Sequence, residues 1–295
     1  MSERADADAN RIHASRVARG WFALPHPLPI LFVLVATAGF ALLVAGGRVA
    51  AGDLAGLLLA MLGGQLAIGA LNEIVDAELD ARAKPAKPIP SGLVSVRGAW
   101  GMVGFGLALM VVAGARFGAA AFALLAAGTA LGIVYDLWAK RTPWSWLPYL
   151  LALPLLPIWA RTALIGFEPR LLLIYPLGAG AIAAIHLAQS LPDADRDRAA
   201  GLRNPVAFLG RQRAAVACWL LAWSGPALVV LAIVIWPGLA AARGPALAAA
   251  ALDAALIGVA ALATAAKPDF GAGLAFALIA AGAVALGFGW VLAAG

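Results

Sequence analysis

The chain has 295 residues, of which 63% are hydrophobic and 12% are charged, and its formal net charge is +6. Apolar runs of roughly 20 residues match the hydrocarbon thickness of a bilayer, which excludes a soluble globular protein. The alternating pattern of an outer-membrane barrel does not occur, and we attribute the positive charge to loops beside anionic lipid rather than to nucleic-acid binding.

The chain begins with a polar, arginine-bearing segment, residues 1–26, which lacks the small-residue cleavage pattern of a signal peptide. We predict that this segment is a retained cytoplasmic tail and that residues 27–295 form a single transmembrane domain. Breaks at Gly, Pro and charged residues divide the domain into nine helices. Their predicted spans are 27–46, 54–79, 97–115, 118–137, 146–165, 171–192, 212–236, 245–266 and 270–293.

Lys and Arg residues are distributed unevenly over the segments between these helices. With the N-terminus inside, 16 of the 21 Lys and Arg residues lie on the cytoplasmic side. Because basic residues favour that side of a membrane, the bias predicts a multi-pass protein of the inner (cytoplasmic) membrane with a cytoplasmic N-terminus.

The few acidic residues are concentrated at the ends of the second and sixth predicted helices. Seven of the 15 Asp and Glu residues lie in two stretches, residues 72–80 and 193–197. Carboxylates beside a bilayer are costly unless a cation pairs with them. Both clusters are cytoplasmic in the predicted orientation. This placement therefore indicates that the two clusters bind cations together, most simply divalent metal that holds a phosphorylated ligand.

The spacing within the two clusters selects candidate metal ligands. Residues four apart share one face of a helix, so Asn72, Asp76 and Asp80 form one polar stripe. Asp193 and Asp197 form a second stripe. Oxygen ligands at this spacing suit Mg²⁺, which binds through a few carboxylates together with substrate phosphates. The other acidic residues of the clusters are weaker candidates: Glu73, Glu78 and Asp195.

Basic residues accompany both clusters. Arg82 and Lys84 follow the first, Arg198 lies within the second, and Lys140 follows the fourth helix on the same side. Lys or Arg together with metal is the usual way to hold a leaving diphosphate, so we predict that these residues and Asn72 bind one. Each basic residue taken alone is also explained by the preference of Lys and Arg for the cytoplasmic side.

The layout of the chain repeats, because the second and the sixth helix each end in an acidic cluster that a basic loop follows. We therefore predict an all-α polytopic bundle of two pseudo-equivalent four-helix halves plus a ninth helix. A site between such halves would receive one cluster from each, so the two polar stripes are expected to face each other across one cavity.

At these residues the chain resembles the UbiA superfamily of intramembrane prenyltransferases. Asn72, Asp76 and Asp80 match the family pattern Asn-Asp-x-x-Asp-x-x-x-Asp, with Glu73 in place of the second-position Asp. Residues 193–197 match the second family pattern, Asp-x-x-x-Asp. The resemblance covers nearly the whole chain.

Further tracts resemble family elements, and two positions depart from them. The similar tracts are residues 84–92, Tyr135-Asp136 with Lys140-Arg141, and residues 197–201. His26-Pro27 stands where the family commonly has Arg-Pro, and Leu191-Pro192 stands before the second motif where a basic residue is frequent. These departures leave the branch of the family open with respect to the acceptor.

The resemblance implies an enzyme that transfers an isoprenyl group from a polyprenyl diphosphate to an acceptor, often an aromatic ring. It implies nine helices around a cavity open to lipid, with Mg²⁺ bridging the two Asp motifs and the diphosphate. It further implies that Lys140 and Arg82 neutralise leaving-group charge as an allylic carbocation forms, and that Tyr135 or Asp136 orients the acceptor or takes a proton.

Three other polar residues are candidates for lining the cavity. His186 lies two turns before Asp193, with Gln189 beside it, and polar groups within spans usually face the bundle interior. His26 stands in the place of the family Arg. The alternatives are a helix-packing hydrogen bond for His186 and an interfacial position for His26.

Two other functions fit parts of this pattern. A membrane terpene cyclase of the same superfamily would ionise the same donor without an acceptor. A transporter with an internal repeat would carry its acidic residues at mid-span, whereas here they lie at span ends beside basic residues. The sequence leaves the acceptor, the prenyl chain length, the choice between transferase and cyclase, and the oligomeric state open.

Overall fold

The computed structural model describes residues 14–199, 201–236, 243–266 and 268–294, and every regular element within these ranges is a helix. Nine helical segments in the described ranges are long and apolar enough to cross a membrane. The predicted all-α polytopic class and the predicted number of spans are thereby confirmed. The segments are Pro27–Val44, Ala51–Ala83, Val96–Phe117, Ala119–Leu137, Trp146–Leu164, Pro169–Ala199, Arg211–Ile235, Arg243–Ala266 and Gly273–Ala293.

The chain divides into two compact units, and the first comprises Met1–Ala38 and Ala51–Gly118. Its helices are α1 (Pro27–Val44), whose last turns belong to the second unit, α2 (Ala51–Ala83) and α3 (Val96–Gly114). A side-chain cap from Ser95, which accepts a hydrogen bond from the Gly98 N–H at 3.1 Å, starts α3.

Helices α2 and α3 approach each other so closely that only glycine fits at two positions of their contact, Gly63 and Gly106. A Cβ on Gly63 would overlap the backbone of α3 at Gly106 and Met110, and a Cβ on Gly106 would overlap the backbone of α2 at Gly63 and Ala67. In lipid, where the hydrophobic effect does not drive helices together, such close packing of small residues holds them. The contact fixes α2, which carries the first acidic cluster.

The second unit comprises Gly39–Ala50 and Ala119–Gly295. One part of its core consists of the small residues Ala184, Ala214 and Ala222, with Ile257 and Ile279 packed among them. Its helices are α4 (Ala119–Leu137), α5 (Trp146–Ala152), α6 (Leu155–Leu164), α7 (Ile174–Ser190), α8 (Ala194–Ala199), α9 (Pro205–Leu209), α10 (Arg211–Ile235), α11 (Arg243–Ala266) and α12 (Pro268–Ala294).

Large apolar side chains remain exposed along the spanning helices. Val112 of α3, Val234 of α10 and Leu262 of α11 each expose more than 70% of their surface. In water such a surface would favour association, but lipid tails are as apolar as these side chains. The exposure therefore agrees with helices that lie in a bilayer.

Two predicted helices are interrupted in the structure. The predicted span 146–165 is divided into α5 and α6 at residues 153–154, because Pro154 has no N–H to continue the hydrogen-bond ladder. The predicted span 171–192 begins with a 3₁₀ turn over Pro169–Leu173 and ends in another over Leu191–Asp193, which contains Pro192. Conversely, α2 continues to Ala83, so the first acidic cluster lies inside a helix.

The boundary between the compact units at residues 118 and 119 precedes the fourth spanning helix, so the units differ from the predicted four-helix halves. The internal repeat, the cytoplasmic tail 1–26 and the single domain 27–295 stay predictions, and residues 1–13 of that tail lie outside the described residues.

Candidate active site

The first acidic cluster occupies the last turns of α2, where its side chains differ sharply in burial. Glu73 and Asp80 are 1% and 6% exposed, Asn72 and Asp76 are half-buried, and Glu78 is exposed. Glu73 was predicted to be one of the weaker candidates. The structure makes it the most buried carboxylate of the cluster.

Lys87 joins the two buried carboxylates. Its Nζ donates a hydrogen bond of 2.6 Å to Oε1 of Glu73 and one of 2.7 Å to Oδ2 of Asp80. Residues 73 and 80 are two helical turns apart and share a face of α2, so a single ammonium reaches both. Arg82 and Lys84, the predicted diphosphate ligands that follow the cluster, are exposed.

The loop after α2 holds Lys87 in place with backbone hydrogen bonds. The Lys87 N–H bonds to the Lys84 carbonyl, the Ser91 N–H to the Lys87 carbonyl, and the Val94 N–H to the Pro88 carbonyl, at 2.9 to 3.0 Å. Proline at three positions of this segment, 85, 88 and 90, restricts the backbone further. Lys87 is therefore presented to α2 by a rigid turn.

The electrostatics of Lys87 follow from this contact. Burial alone would lower the pKa of its ammonium, but the hydrogen bonds and negative charges of Asp80 and Glu73 outweigh burial and raise the pKa above its usual value of 10.5. Lys87 is thus firmly protonated in the folded protein.

His26 approaches the same carboxylate from the segment before α1. Its Nε2 lies 3.1 Å from Oε1 of Glu73, and its backbone φ is +58°, which is uncommon for a residue other than glycine. The approach depends on Gly69, one turn before Glu73, because a Cβ there would overlap the carbonyl of Pro25. The imidazole of His26 is thus in direct contact with the carboxylate of Glu73.

In the second unit, Asp136 in the last turn of α4 forms an ion pair with Lys140, which follows the helix. Lys140 Nζ lies 3.7 Å from Asp136 Oδ1, and the two side chains are 10% and 2% exposed. Lys140 is in a 3₁₀ turn, Ala139–Arg141, that follows α4 directly. The turn lets residues four apart keep the contact that a helix would give them.

Aromatic and polar side chains from α4, α5 and α7 meet beside this pair. The ring of Tyr149 lies 5.2 Å from that of Tyr135 and 5.1 Å from that of His186. The Tyr149 hydroxyl donates a hydrogen bond of 2.5 Å to Oε1 of Gln189. Ser145 Oγ lies 3.0 Å from His186 Nε2, with both residues buried.

We call these five residues the polar aromatic group. Three of them, Tyr135, His186 and Gln189, were predicted from the sequence, whereas Ser145 and Tyr149 were not. The signal for the missed pair was spacing, because Ser145 and Tyr149 are four residues apart at the start of the fifth span.

The second acidic cluster is held by neighbours of its own. Asp193 Oδ1 lies 2.7 Å from Nη2 of Arg196. Asp197 Oδ2 accepts a hydrogen bond of 2.7 Å from Nδ2 of Asn204, whose Oδ1 in turn accepts the Ala207 N–H and caps α9. The two aspartates were predicted to form a stripe on one helix. They lie instead in a 3₁₀ turn and in α8, because Pro192 interrupts the ladder.

Arg198, the remaining predicted residue of this region, lies beside the turn at Gly210. Its Nη1 would be 3.5 Å from a Cβ built on Gly210, which has a φ of +77° and precedes α10. Asp195 points outward, 78% exposed, toward Arg211 at 3.3 Å.

The oxygen-rich donor set of both clusters fits Mg²⁺, which prefers carboxylate, amide and water oxygens. Among the residues that the structure describes, no group of three or more His, Cys, Asp and Glu side chains is arranged to hold a metal by itself. Mg²⁺ characteristically completes its shell with water and substrate phosphates. The residues present therefore suit a metal that arrives with a phosphorylated ligand.

Comparison with known proteins gives one family and several relatives. A model of the UbiA prenyltransferase family matches residues 32–270. Digeranylgeranylglyceryl phosphate synthase of Korarchaeum cryptofilum (strain OPF8) is 27% identical over 175 residues, which are 57% of this chain and 60% of that protein. The matched region thus spans less than two thirds of this relative.

Two solved structures have the same fold. The apo structure of a UbiA homolog from Aeropyrum pernix K1 is 25% identical, with a TM-score of 0.67 over 86% of this chain and 96% of that one. A UbiA homolog from Archaeoglobus fulgidus bound to DMAPP and Mg²⁺ is 21% identical, with a TM-score of 0.69 over 92% and 98% of the two chains.

Proposed function

The chain belongs to the UbiA prenyltransferase family, and we propose that it transfers an isoprenyl group from a polyprenyl diphosphate to an acceptor within the membrane, with Mg²⁺ as cofactor. The DMAPP and Mg²⁺ held by the Archaeoglobus fulgidus homolog support a prenyl diphosphate donor and this metal. Family membership favours an enzyme over a transporter.

The observation that carries the proposal is the contact of Lys87 with Asp80, at 2.7 Å, at the end of α2. One side chain offers oxygens to a divalent cation, and the other offers an ammonium to phosphate oxygens. A metal–diphosphate requires this combination of charges.

The proposed metal ligands are Asn72, Asp76 and Asp80 of the first acidic cluster and Asp193 and Asp197 of the second. Bound Mg²⁺ supplies Lewis-acid stabilisation of the negative charge that develops on the leaving diphosphate. The side chain of Asn204 orients Asp197, because it is itself fixed as the cap of α9.

Basic side chains share the task of binding the diphosphate and neutralising it as it departs. We assign this role to Lys140, Arg82, Lys84 and Arg198, with Asn72 as an amide donor, and we add Lys87 because of its contact with Asp80. The C–O bond of the donor breaks, the electron pair leaves with the diphosphate, and the allylic cation that remains is attacked by the acceptor. Lys140, only 10% exposed, would act with little screening by water.

The polar aromatic group of the second unit is the proposed acceptor side of the reaction. Tyr135 and Asp136 are assigned to orienting the acceptor or receiving its proton, and His186 and Gln189 to lining this region. Aromatic faces stabilise cations and exclude water, which would otherwise capture the carbocation. The rings of Tyr135 and Tyr149 meet this need.

The orientation that we propose has the N-terminus and both acidic clusters at the cytoplasmic face of the inner membrane. Its support is the bias of basic residues toward those segments. Labelling of single cysteines at exposed positions in intact cells tests it. Reaction of Asp195→Cys with a membrane-impermeant reagent added outside the cell would contradict the proposed orientation.

The activity is tested with membranes that contain the full chain. Labelled geranylgeranyl and longer diphosphates are supplied with Mg²⁺ and a panel of acceptors that includes aromatic rings and glyceryl phosphates. We expect Mg²⁺-dependent transfer to one acceptor class, lost in Asp76→Ala and Asp193→Ala. Turnover that survives both substitutions would overturn the assignment, and diphosphate release without any acceptor would indicate the terpene cyclase instead.

A further inference from the structure

The ammonium of Lys87 occupies the oxygens at which a metal would be expected. It contacts Oδ2 of Asp80, a proposed metal ligand, at 2.7 Å and Oε1 of Glu73 at 2.6 Å. Both carboxylates are buried, so water screens these attractions little. A divalent cation that binds Asp80 must therefore displace the ammonium or bear its repulsion.

We propose that Lys87 is a tethered counter-cation that suppresses the binding of free divalent metal to the first acidic cluster, with Glu73 as its anchor. The inference rests on the proposed function, because that function assigns Asp80 to the metal. It also gives Glu73 a role distinct from that of its neighbours. Glu73 is a positioning residue that holds Lys87.

Glu73 suits the role of an anchor because separate segments fix it. His26 approaches it from the segment before α1, with the close contact at Gly69 behind it, and Lys87 reaches it from the loop after α2. Glu also carries one more methylene than the Asp of the family pattern, which extends its carboxylate away from the α2 backbone. At 1% exposure, this carboxylate would be costly to leave without Lys87.

The arrangement makes metal binding depend on the diphosphate. A free metal ion at Asp80 offers Lys87 no new partner, so the hydrogen bond that the ammonium gives up at Asp80 is not replaced. A metal–diphosphate offers phosphate oxygens, to which the ammonium can turn while Glu73 retains it. The cluster therefore binds metal and diphosphate together better than either one alone.

Binding of Mn²⁺, followed by electron paramagnetic resonance on the purified full chain in nanodiscs, tests the inference without any turnover. In Lys87→Met we expect free Mn²⁺ to bind at least about tenfold tighter than in the wild type, because one unit charge in contact with the site is removed. Arg97→Met removes a charge from an exposed position of the same unit, and it should change the affinity by less than about twofold.

A second pair of variants covers the case in which Lys87→Met does not fold. Glu73→Gln and the double variant Glu73→Gln/Lys87→Met leave fewer buried charges unpaired, and the double variant should again bind Mn²⁺ about tenfold tighter than Glu73→Gln. If Mn²⁺ binding is equal or weaker without Lys87 in both comparisons, Lys87 is not a counter-cation that suppresses metal binding.

Asp76→Asn and Asp80→Asn separate this outcome from the metal site itself. If they abolish Mn²⁺ binding while the Lys87 variants show no gain, the proposed function stands and the counter-cation fails. If they leave Mn²⁺ binding unchanged, the metal site of the proposed function fails.

Discussion

Ser145 Oγ lies 3.0 Å from His186 Nε2 and connects the residue before α5 to α7 in the second unit. The two residues are 1% and 2% exposed, so each side chain gives the other the hydrogen-bond partner that water would otherwise provide. The ring of Tyr149 lies 5.1 Å from the His186 ring. The hydrogen bond therefore sets the position of an aromatic face that we assign to the acceptor side.

Ser145→Ala tests this relationship. It leaves a buried imidazole nitrogen without its partner, and we expect a loss of about 1–3 kcal/mol in the free energy of unfolding. The KM for the acceptor should rise while the Mg²⁺ dependence stays unchanged. Thermal denaturation in detergent and acceptor titrations are the measurements.

Thr162→Val is the matched control for Ser145→Ala. The Thr162 hydroxyl bonds to the Ile158 carbonyl of its own helix, so its loss should change stability by less than about 0.5 kcal/mol. If the KM for the acceptor is unchanged in Ser145→Ala, Ser145 and His186 do not contribute to acceptor binding.

Asp76→Asn and Asp193→Asn test one proposed ligand from each cluster. Each substitution removes a negative charge from the proposed metal site, and we expect Mg²⁺-dependent turnover to fall at least about a hundredfold. Asp195→Asn is the control in the second cluster. Its carboxylate is 78% exposed and pairs with Arg211 at the surface, so activity should stay within about twofold. If all three variants lost activity to a similar extent, the cause would be the change in net charge, and Asp76 and Asp193 would not be metal ligands.

Asn204→Ala separates the orientation of Asp197 from simple stability. The variant loses both the cap of α9 and the hydrogen bond to Asp197 Oδ2. We expect about 1 kcal/mol of destabilisation and a Mg²⁺ requirement raised about tenfold.

Ser95→Ala is the comparison for Asn204→Ala, because it removes a similar cap from α3. It should cost similar stability but leave the Mg²⁺ requirement unchanged. A Mg²⁺ titration beside the denaturation curve distinguishes them, and identical Mg²⁺ curves for both variants would contradict a positioning role of Asn204.

The spanning helices were predictable because each requires a long apolar run, and that property belongs to the local sequence. The break at Pro154 shows the limit of this reasoning. Proline is frequent in membrane helices, where neighbouring groups can satisfy the freed carbonyl, so sequence alone does not say which proline interrupts a span. The groups that surround each proline in the folded protein decide whether the helix continues.

The site was predicted at the level of motifs, whereas the partners within it required coordinates. Lys84 and Lys87 lie in the same basic loop, and only the turn held by Pro88 and its neighbours brings Lys87 onto α2. Spacing places Tyr149 on one face with Ser145 but does not predict its neighbours in space, because Tyr135, His186 and Gln189 come from other helices. Local spacing predicts which residues share a face, but not which faces meet.

Gly106→Ala and Gly104→Ala give the clearest test of the close contact between α2 and α3, because they place the same methyl group on one helix two residues apart. At Gly106 the added Cβ overlaps the α2 backbone, whereas at Gly104 nothing lies within 4 Å. Alanine favours a helix over glycine by about 1 kcal/mol, so Gly104→Ala should be neutral or slightly stabilising. Gly106→Ala should lose about 1–3 kcal/mol in thermal or denaturant unfolding, because the two helices must separate. Separation would shift the end of α2, so we also expect Mg²⁺-dependent activity to fall in Gly106→Ala alone, and equal stability of the two variants would contradict the contact.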